Sequence, residues 1–518
     1  MRQCKDGGPN VKEKARNLRL RGCNCEIRRT GEPYLLSAWR SKGRRAAAEP
    51  VVGFAMGSGP VGWEWDLAPL RLAAMKAGTG KWLVAGALLL ALVSGVSYLQ
   101  ARPRPLPDAK FAALSQREKN LAIYDTFRAQ LEEHYFDSKL MESPEWDARF
   151  DEWREKAAAA PTGIHLYTDV FYKLLQLFPS SHVDVLLPSP AGGSTSPTAT
   201  APAPKSDRIE ALLRSGPGFD LISIRRGSKR GAVVGDVIAG SPADRAGIEP
   251  GWAVGTWSFN MDVASESARF KGEFLRLSPE HASAYERDLT VNFPDAKTLE
   301  QGEAAIAANQ LTIEYDYEVL PRIEPIDTRI LEGGVTYLRF DSFGETALID
   351  RVLGIIDSAG SRGLIVDLRH NHGGQAAEMR RVLGRLLGND AYIGTVRAGR
   401  RYQNLRTEKK GPHYPAPIAV LIGPATSSAA EIAAAAVLDN KRGILIGRMT
   451  NGSVLSSNYF PLGGGWQAFI PMYDYVRGGD RRIEGIGVEP DIRVMPTLGD
   501  VRAGRDPVTE RALAELRK

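Results

Sequence analysis

The chain has 518 residues, 43% hydrophobic and 25% charged, a balance that excludes a fibrous or wholly disordered protein and a length that exceeds one ordinary domain. Its net charge of +6 is unevenly spread: residues 1–75 carry 14 Lys and Arg against 7 Asp and Glu, an excess of 7, so the remainder nets −1. With no basic excess left for the folded part, no nucleic-acid partner is expected. All three cysteines, Cys4, Cys23 and Cys25, lie in that first stretch, so the body from Met75 onward has no disulfide, thiolate metal site or cysteine nucleophile.

In chain order, residues 1–74 show no sustained periodicity and read as a disordered extension. Residues 75–104 read as a signal or anchor. Two lysines precede an uncharged apolar run over 82–99, and Arg102 and Arg104 follow it. The exit from that run offers poor small-residue cleavage options. An uncleaved transmembrane anchor with the body exported, to a bacterial periplasm or cell surface, is therefore expected, a cleaved secreted form being the alternative. Residues 112–187 alternate apolar and charged positions at helical spacing and predict a helical subdomain. The segment 188–207, "PSPAGGSTSPTATAPAPKSD", is Pro/Ser/Thr-rich and predicts a linker.

Residues 208–322 give short strands between Gly/Pro turns, a short helix around Ala243–Gly247 and a polar stretch (about 264–309) that reads as an insertion. From 323 to 496 strand and helix patterns alternate: "GVTYLRF", "ETALIDRVLGIIDSAG", "GLIVDLR", "AAEMRRVLGRLLG", "IAVLIG", "AAEIAAAAVLD", "RGILIGR" and "WQAFIPMYDYV". That alternation predicts a mixed βα layered domain, followed by a tail over 497–518. The fold class expected is thus multidomain: an α/β core, a β-rich domain before it, and helices at the front.

Two features could carry chemistry. In "GPATSSAAEIAAAA" (Gly423–Ala436) a buried strand runs into two serines and then a helix. Ser428, with Glu431 three residues on, fits a capping box, the commoner role on these residues alone, and also fits a nucleophile at a helix N-terminus. In "GLIVDLRHNHGGQ" a buried strand ends in Asn371, His372, Gly373 and Gly374, and successive glycines let backbone N–H groups approach a developing oxyanion. His370 and His372 have nothing nearby to complete a ligand set, so no metal is expected.

The ordered set "DLRHNHGG", "VLIGPATSSAAEIAAAAVLD", "GRMTNGS" and "GIGVEPDI" resembles the C-terminal processing (tail-specific) serine peptidases. Upstream, "GPGFDLISI" and "GDVIAGSPADRAGIEPGW" resemble the PDZ domain those enzymes carry. The resemblance covers roughly Ala112–Val494 and implies an α/β protease core, Ser428 as nucleophile, and an oxyanion hole from the N–H groups of Ala429 and of Gly373 or Gly374. Arg369, Asn371 and Asp439 match positions that it implies are structural.

The better-known branch takes its base from a lysine in a T-x-G-K-G turn, with a glutamine four residues later. Here that turn reads Thr450, Asn451, Gly452, Ser453, Val454, and the later position is Ser457; both groups are missing. A hydroxyl cannot abstract a proton at neutral pH. A second branch, resembling the tricorn core protease, uses histidine, and "LFPSSHVDV" and "RIEGIGVEPDI" supply Ser181, His182 and Glu484. The resemblance then implies His182 as base, with Ser181 and Glu484 orienting it.

The expectation is a cofactor-free serine peptidase acting on unfolded or C-terminally presented polypeptides. Its PDZ-like domain would offer Gly216, Pro217, Gly218 and Phe219 to a peptide C-terminus, and residues 82–99 would meet the membrane. The alternative is an inactive protease-like PDZ scaffold that binds peptide C-termini at the membrane.

Overall fold

The computed structural model describes residues 102–188, 207–262, 264–291, 293, 296–321, 324–399, 401–408 and 413–518. The expected extension 1–74, the span 82–99 and most of the linker lie outside these. Among the described residues no helix is long and apolar enough to cross a membrane.

The chain opens with helices Gln116–His134 (α1) and Pro144–Ala159 (α2). Ser115 caps the first through a reciprocal bond with Glu118, and Ser143 caps the second. The "DVFYKLLQLF" segment is helical as expected, but its first three residues belong to a π-helix, Leu166–Phe171. Tyr124, Phe127, Phe150, Phe171 and Phe178 form the core here, together with Trp466, Ala468 and Ile470 from far along the chain. The helices are thus not an independent bundle. A short strand, Asp184–Leu186 (β1), leads on from them.

After helix Asp207–Ser215 (α3) come strands Phe219–Arg226 (β2) and Lys229–Val237 (β3), helix Pro242–Arg245 (α4), and strands Ala253–Asp262 (β4) and Ser267–Leu275 (β5). Helices Pro279–Asp288 (α5) and Leu299–Asn309 (α6) then precede strand Gln310–Asp316 (β6). These strands make an antiparallel sheet in the order β2-β3-β4-β5-β6. The polar stretch read as an insertion is therefore integral. In "SARFKGEFL" every second residue, Ala268, Phe270, Gly272 and Phe274, turns inward, a period-2 signal that the intervening charges mask.

The α/β core follows: strands Ile326–Ile330 (β7) and Thr336–Phe340 (β8), helix Thr346–Ser358 (α7), strand Leu364–Asp367 (β9), and helix Ala376–Leu387 (α8). Next are Tyr392–Ala398 (β10), Arg401–Arg406 (β11), Ile418–Ile422 (β12), helix Ala429–Asp439 (α9), Gly443–Gly447 (β13), Ser456–Gly463 (β14), Trp466–Arg477 (β15), Arg481–Arg482 (β16) and Ile492–Arg493 (β17). One sheet runs β17-β13-β12-β9-β8-β7, parallel except for β7. Its central strands are uninterrupted apolar runs because both faces are covered. Ile418, Val420 and Ile422 face α7–α9, whereas Ala419 and Leu421 face the closing helix Pro507–Leu516 (α10) through Val508 and Ala512. The residues after 496 thus seal the sheet.

A second, antiparallel sheet, β1-β15-β10-β11 with β14 and β16 beside β15, went unread at β10, β11 and β14. Helix α9 packs between it and the first sheet, touching β13, β10 and β15. Wedged there, all of Ala429–Val437 is buried, which is why the segment is nearly all alanine.

Candidate active site

Ser428 lies between β12 and α9 with φ 55° and ψ −125°. It is one of seven non-glycine residues with positive φ among those described, and His182 (φ 62°) is another. Each such conformation costs about 1–3 kcal/mol and persists only where the surroundings enforce it. For Ser428 they do. Its N–H donates to the Ser453 carbonyl (2.7 Å), the Ser427 N–H to the Asn371 carbonyl (3.1 Å), and the Ser427 hydroxyl to the His372 carbonyl (3.1 Å). The Thr426 hydroxyl donates to the Leu368 carbonyl at 2.7 Å. The Glu431 carboxylate accepts the Ser428 N–H at 3.2 Å, one arm of the capping box. The Glu431 N–H goes to the Ser428 carbonyl at 3.0 Å.

The glycine turn lies against this serine. A Cβ added at Gly373 would come within 2.6 Å of the Ser428 Cβ and 3.0 Å of the Ala429 nitrogen. One expectation needs correction: the Gly373 N–H does not face a ligand, because it donates to Asn371 Oδ1 at 2.9 Å. Asn371 is fully buried and ties the loop to the Phe340 carbonyl (3.0 Å). Among the described residues no acceptor takes the N–H of Gly374 or of Ala429. Arg369 forms ion pairs with Asp367 (2.6 Å) and Asp506 (2.7 Å), and Asp439 pairs with Arg477 and Arg481.

Ser181, His182 and Glu484 come together although 303 residues separate the first from the last. The Ser181 hydroxyl donates to Glu484 Oε2 (3.0 Å) and lies 2.6 Å from His182 Nδ1; the Ser181 N–H donates to Glu484 Oε1 (2.7 Å). A hydroxyl has one proton. Given to the carboxylate, it obliges Nδ1–H to donate to Ser181, which leaves the Nε2 lone pair free. Burial pushes the His182 imidazole down to about 4, so it is neutral at pH 7. Burial also raises the Glu484 carboxyl, against the hydrogen bonds from Ser181 and Val454 that favour its charge. No hydrogen bond joins His182 to Ser428. The link between them runs through the turn 450–454.

That turn is held by two buried carboxylates, Glu431 and Glu484. Glu431 accepts the Thr450 hydroxyl (2.5 Å) and the N–H groups of Gly452 (2.7 Å) and Ser453 (2.8 Å); Glu484 accepts the Val454 N–H (2.9 Å). Burial pushes Glu431 up to about 7 despite these donors. The only sequence hint was an acid inside an otherwise apolar helix. The Ser453 hydroxyl, where the lysine is absent, donates to Asn451 Oδ1 (2.7 Å), and the Ser457 hydroxyl donates to the His182 carbonyl (3.5 Å).

The β2–β6 domain packs directly on this centre. Arg226 on β2 donates to the carbonyls of Thr450 (2.8 Å) and Asn451 (2.5 Å), and Asn451 Nδ2 donates to the Ser223 carbonyl (2.9 Å). Arg448 pairs with Glu286, both buried, and donates to the carbonyls of Val234 and Gly235. His370 bridges Asp220 and Asp236 at 3.1 Å each. In the Gly216–Phe219 loop, the Gly216 N–H closes α3 onto Leu212 (3.3 Å) and Pro217 has no N–H. Of the four residues expected to hold a carboxylate, only Gly218 and Phe219 are left as donors.

The α/β core thus carries a strained serine at a strand-to-helix turn against a glycine loop, and Glu484 is hydrogen-bonded through Ser181 to His182. Residues 334–494 match the model of Peptidase family S41. The chain is 30% identical over 184 residues to carboxyl-terminal-processing peptidase 1, chloroplastic, of Arabidopsis thaliana, covering 35% of this chain and 37% of that one. It is 26% identical over 265 residues to a carboxyl-terminal-processing protease of Picosynechococcus sp., covering 50% and 59%. The alignment thus spans less than two thirds of either relative's length. A solved photosystem II D1 C-terminal processing protease superposes with a TM-score of 0.47 at 18% identity, covering 73% of this chain and 93% of that one. Residues 334–494 are thus similar to the peptidase family S41 domain, in line with the resemblance to the C-terminal processing serine peptidases.

Proposed function

We propose that the chain is a serine endopeptidase of the C-terminal processing type, with Ser428 as nucleophile and His182 as base. The observation that carries this reading is the Glu484–Ser181–His182 relay, whose hydrogen bonds leave a neutral Nε2 available. His182 Nε2 takes the Ser428 hydroxyl proton as Oγ attacks the scissile carbonyl carbon. The Gly374 and Ala429 N–H groups receive the oxyanion, and the α9 N-terminus favours its charge. The imidazolium then protonates the leaving amine, and water hydrolyses the acyl-enzyme by the reverse path. Apo sites of this kind often hold base and nucleophile beyond hydrogen-bond reach until substrate enters.

Substrates are unfolded or C-terminally presented polypeptides. The β2–β6 domain is PDZ-like, with Gly218 and Phe219 meeting a peptide carboxylate and β2 offering the edge for strand addition. The body is exported and anchored through residues 82–99. Purified protein should degrade an unfolded, carboxymethylated polypeptide, and Ser428→Ala should not. Equal rates for the two would overturn the reading.

A further inference from the structure

His370 belongs to the loop that carries Asn371, Gly373 and Gly374, yet its ring contacts the other domain. Nδ1 lies 3.1 Å from Asp220 on β2, and Nε2 lies 3.1 Å from Asp236 on β3. A neutral imidazole has one N–H, so it cannot donate to two carboxylates at once; this geometry needs the imidazolium. At the next residue the Asn371 carbonyl accepts the Ser427 N–H, and three residues on the Gly373 backbone abuts Ser428.

We propose that His370 is a positioning residue: its charged ring, held between Asp220 and Asp236, fixes the Asn371–Gly374 loop, and with it the oxyanion donor Gly374, in register with Ser428. The inference deepens the peptidase reading and rests on it for the oxyanion role. The clamp itself stands on geometry alone.

Several groups face the ring. Asp220 and Asp236 contact it, Arg369 is its chain neighbour, Asp367 on β9 and Asp341 after β8 lie within its field, and Arg448 acts on Asp236. Burial opposes the ring's charge, but the two aspartates outweigh it and hold its proton well above the usual histidine range. With the folded value raised, the clamp is complete below about 6.5, the free-histidine value, and is lost only as pH climbs through the raised one. The three side chains are 27%, 39% and 37% exposed, so the site can exchange protons.

Fluorophosphonate labelling of Ser428 tests this across pH in the full chain. Wild type should hold its rate through neutrality and fall at alkaline pH. The Asp220→Asn, Asp236→Asn double variant should move that fall down by at least about one pH unit. His370→Gln should label roughly 10- to 100-fold more slowly at neutral pH, while His370→Arg, a permanent two-ended donor, should label well and lose the alkaline fall. An alkaline limb unmoved in the double variant, with His370→Gln labelled at the wild-type rate, overturns the inference. A second readout needs no activity: histidine nitrogen shifts in Ser428→Ala protein, with His370 assigned by its loss in the glutamine variant. His370 should titrate above pH 7 there and drop when both aspartates become asparagine. A value near 6.5 in both backgrounds sinks the clamp whether or not the chain is a peptidase.

Discussion

Replacing Ser181 by alanine removes one oxygen from the centre of the relay and little else. Glu484 keeps the N–H groups of residue 181 (2.7 Å) and Val454 (2.9 Å), so the carboxylate should stay in place. What disappears is the bridge between Glu484 Oε2 (3.0 Å) and His182 Nδ1 (2.6 Å). In the ground state the imidazole is neutral, and this bond sets only its tautomer. In the transition state the ring is charged, and the bridge becomes a hydrogen bond to an ion worth about 1.5–3 kcal/mol. The expected loss in kcat/KM is therefore roughly 10- to 100-fold, falling mainly on kcat because substrate binding is untouched. Hydrolysis of an unfolded polypeptide measures it, with Ser181→Thr, which restores the hydroxyl, as the rescue. An alanine variant within twofold of wild type would show that Glu484 does not act through Ser181.

Four further outcomes concern His182, Ser428 and Glu286. Because burial holds His182 down to about 4, its base form persists at mildly acidic pH; the acid limb of labelling should lie near pH 4, and a limb near 6.5 would contradict the buried ring. Its depressed pKa also means that the unfolded chain binds the proton first, so stability should fall as pH drops from about 6.5 towards 4, readable in urea titrations. Ser428→Gly should be about 1–2 kcal/mol more stable than Ser428→Ala, since glycine accepts φ 55°, ψ −125° while alanine keeps the strain; a less stable glycine variant refutes the strain. Glu286→Ala leaves the buried Arg448 with carbonyl acceptors only, and should cost about 3–5 kcal/mol in thermal or urea unfolding.

The parallel sheet was legible because its strands are covered on both faces, giving uninterrupted runs such as "IAVLI" between helical patterns. The second sheet was not. Strand β11, "RYQNLR", is mostly exposed, and β14, "SSNYFPLG", contains a proline at an edge, so neither shows a core-facing run. The exposed charges of β5 hid an alternating strand inside an apparent insertion. At the site, motif order brought Ser428, His182, Ser181 and Glu484 under one hypothesis, and the relay distances came from the fold. What sequence cannot display is where an N–H goes: Gly373 and Gly374 look equivalent, yet Asn371 occupies the first. Glu431 and His370 were likewise read locally, as a cap and as one of two spare histidines. Their partners lie 19 to 22 and 134 to 150 residues away.

The central claim is that His182, about 250 residues upstream, activates Ser428 where the lysine is absent. The most direct measurement is the rate of fluorophosphonate attachment to the purified chain at neutral pH, with the modified residue mapped by mass spectrometry, in wild type and in His182→Ala. The account predicts attachment at Ser428 in wild type and a rate lower by about 10⁴-fold or more in the variant. Equal labelling of the two proteins, or attachment at a serine other than Ser428, would contradict it.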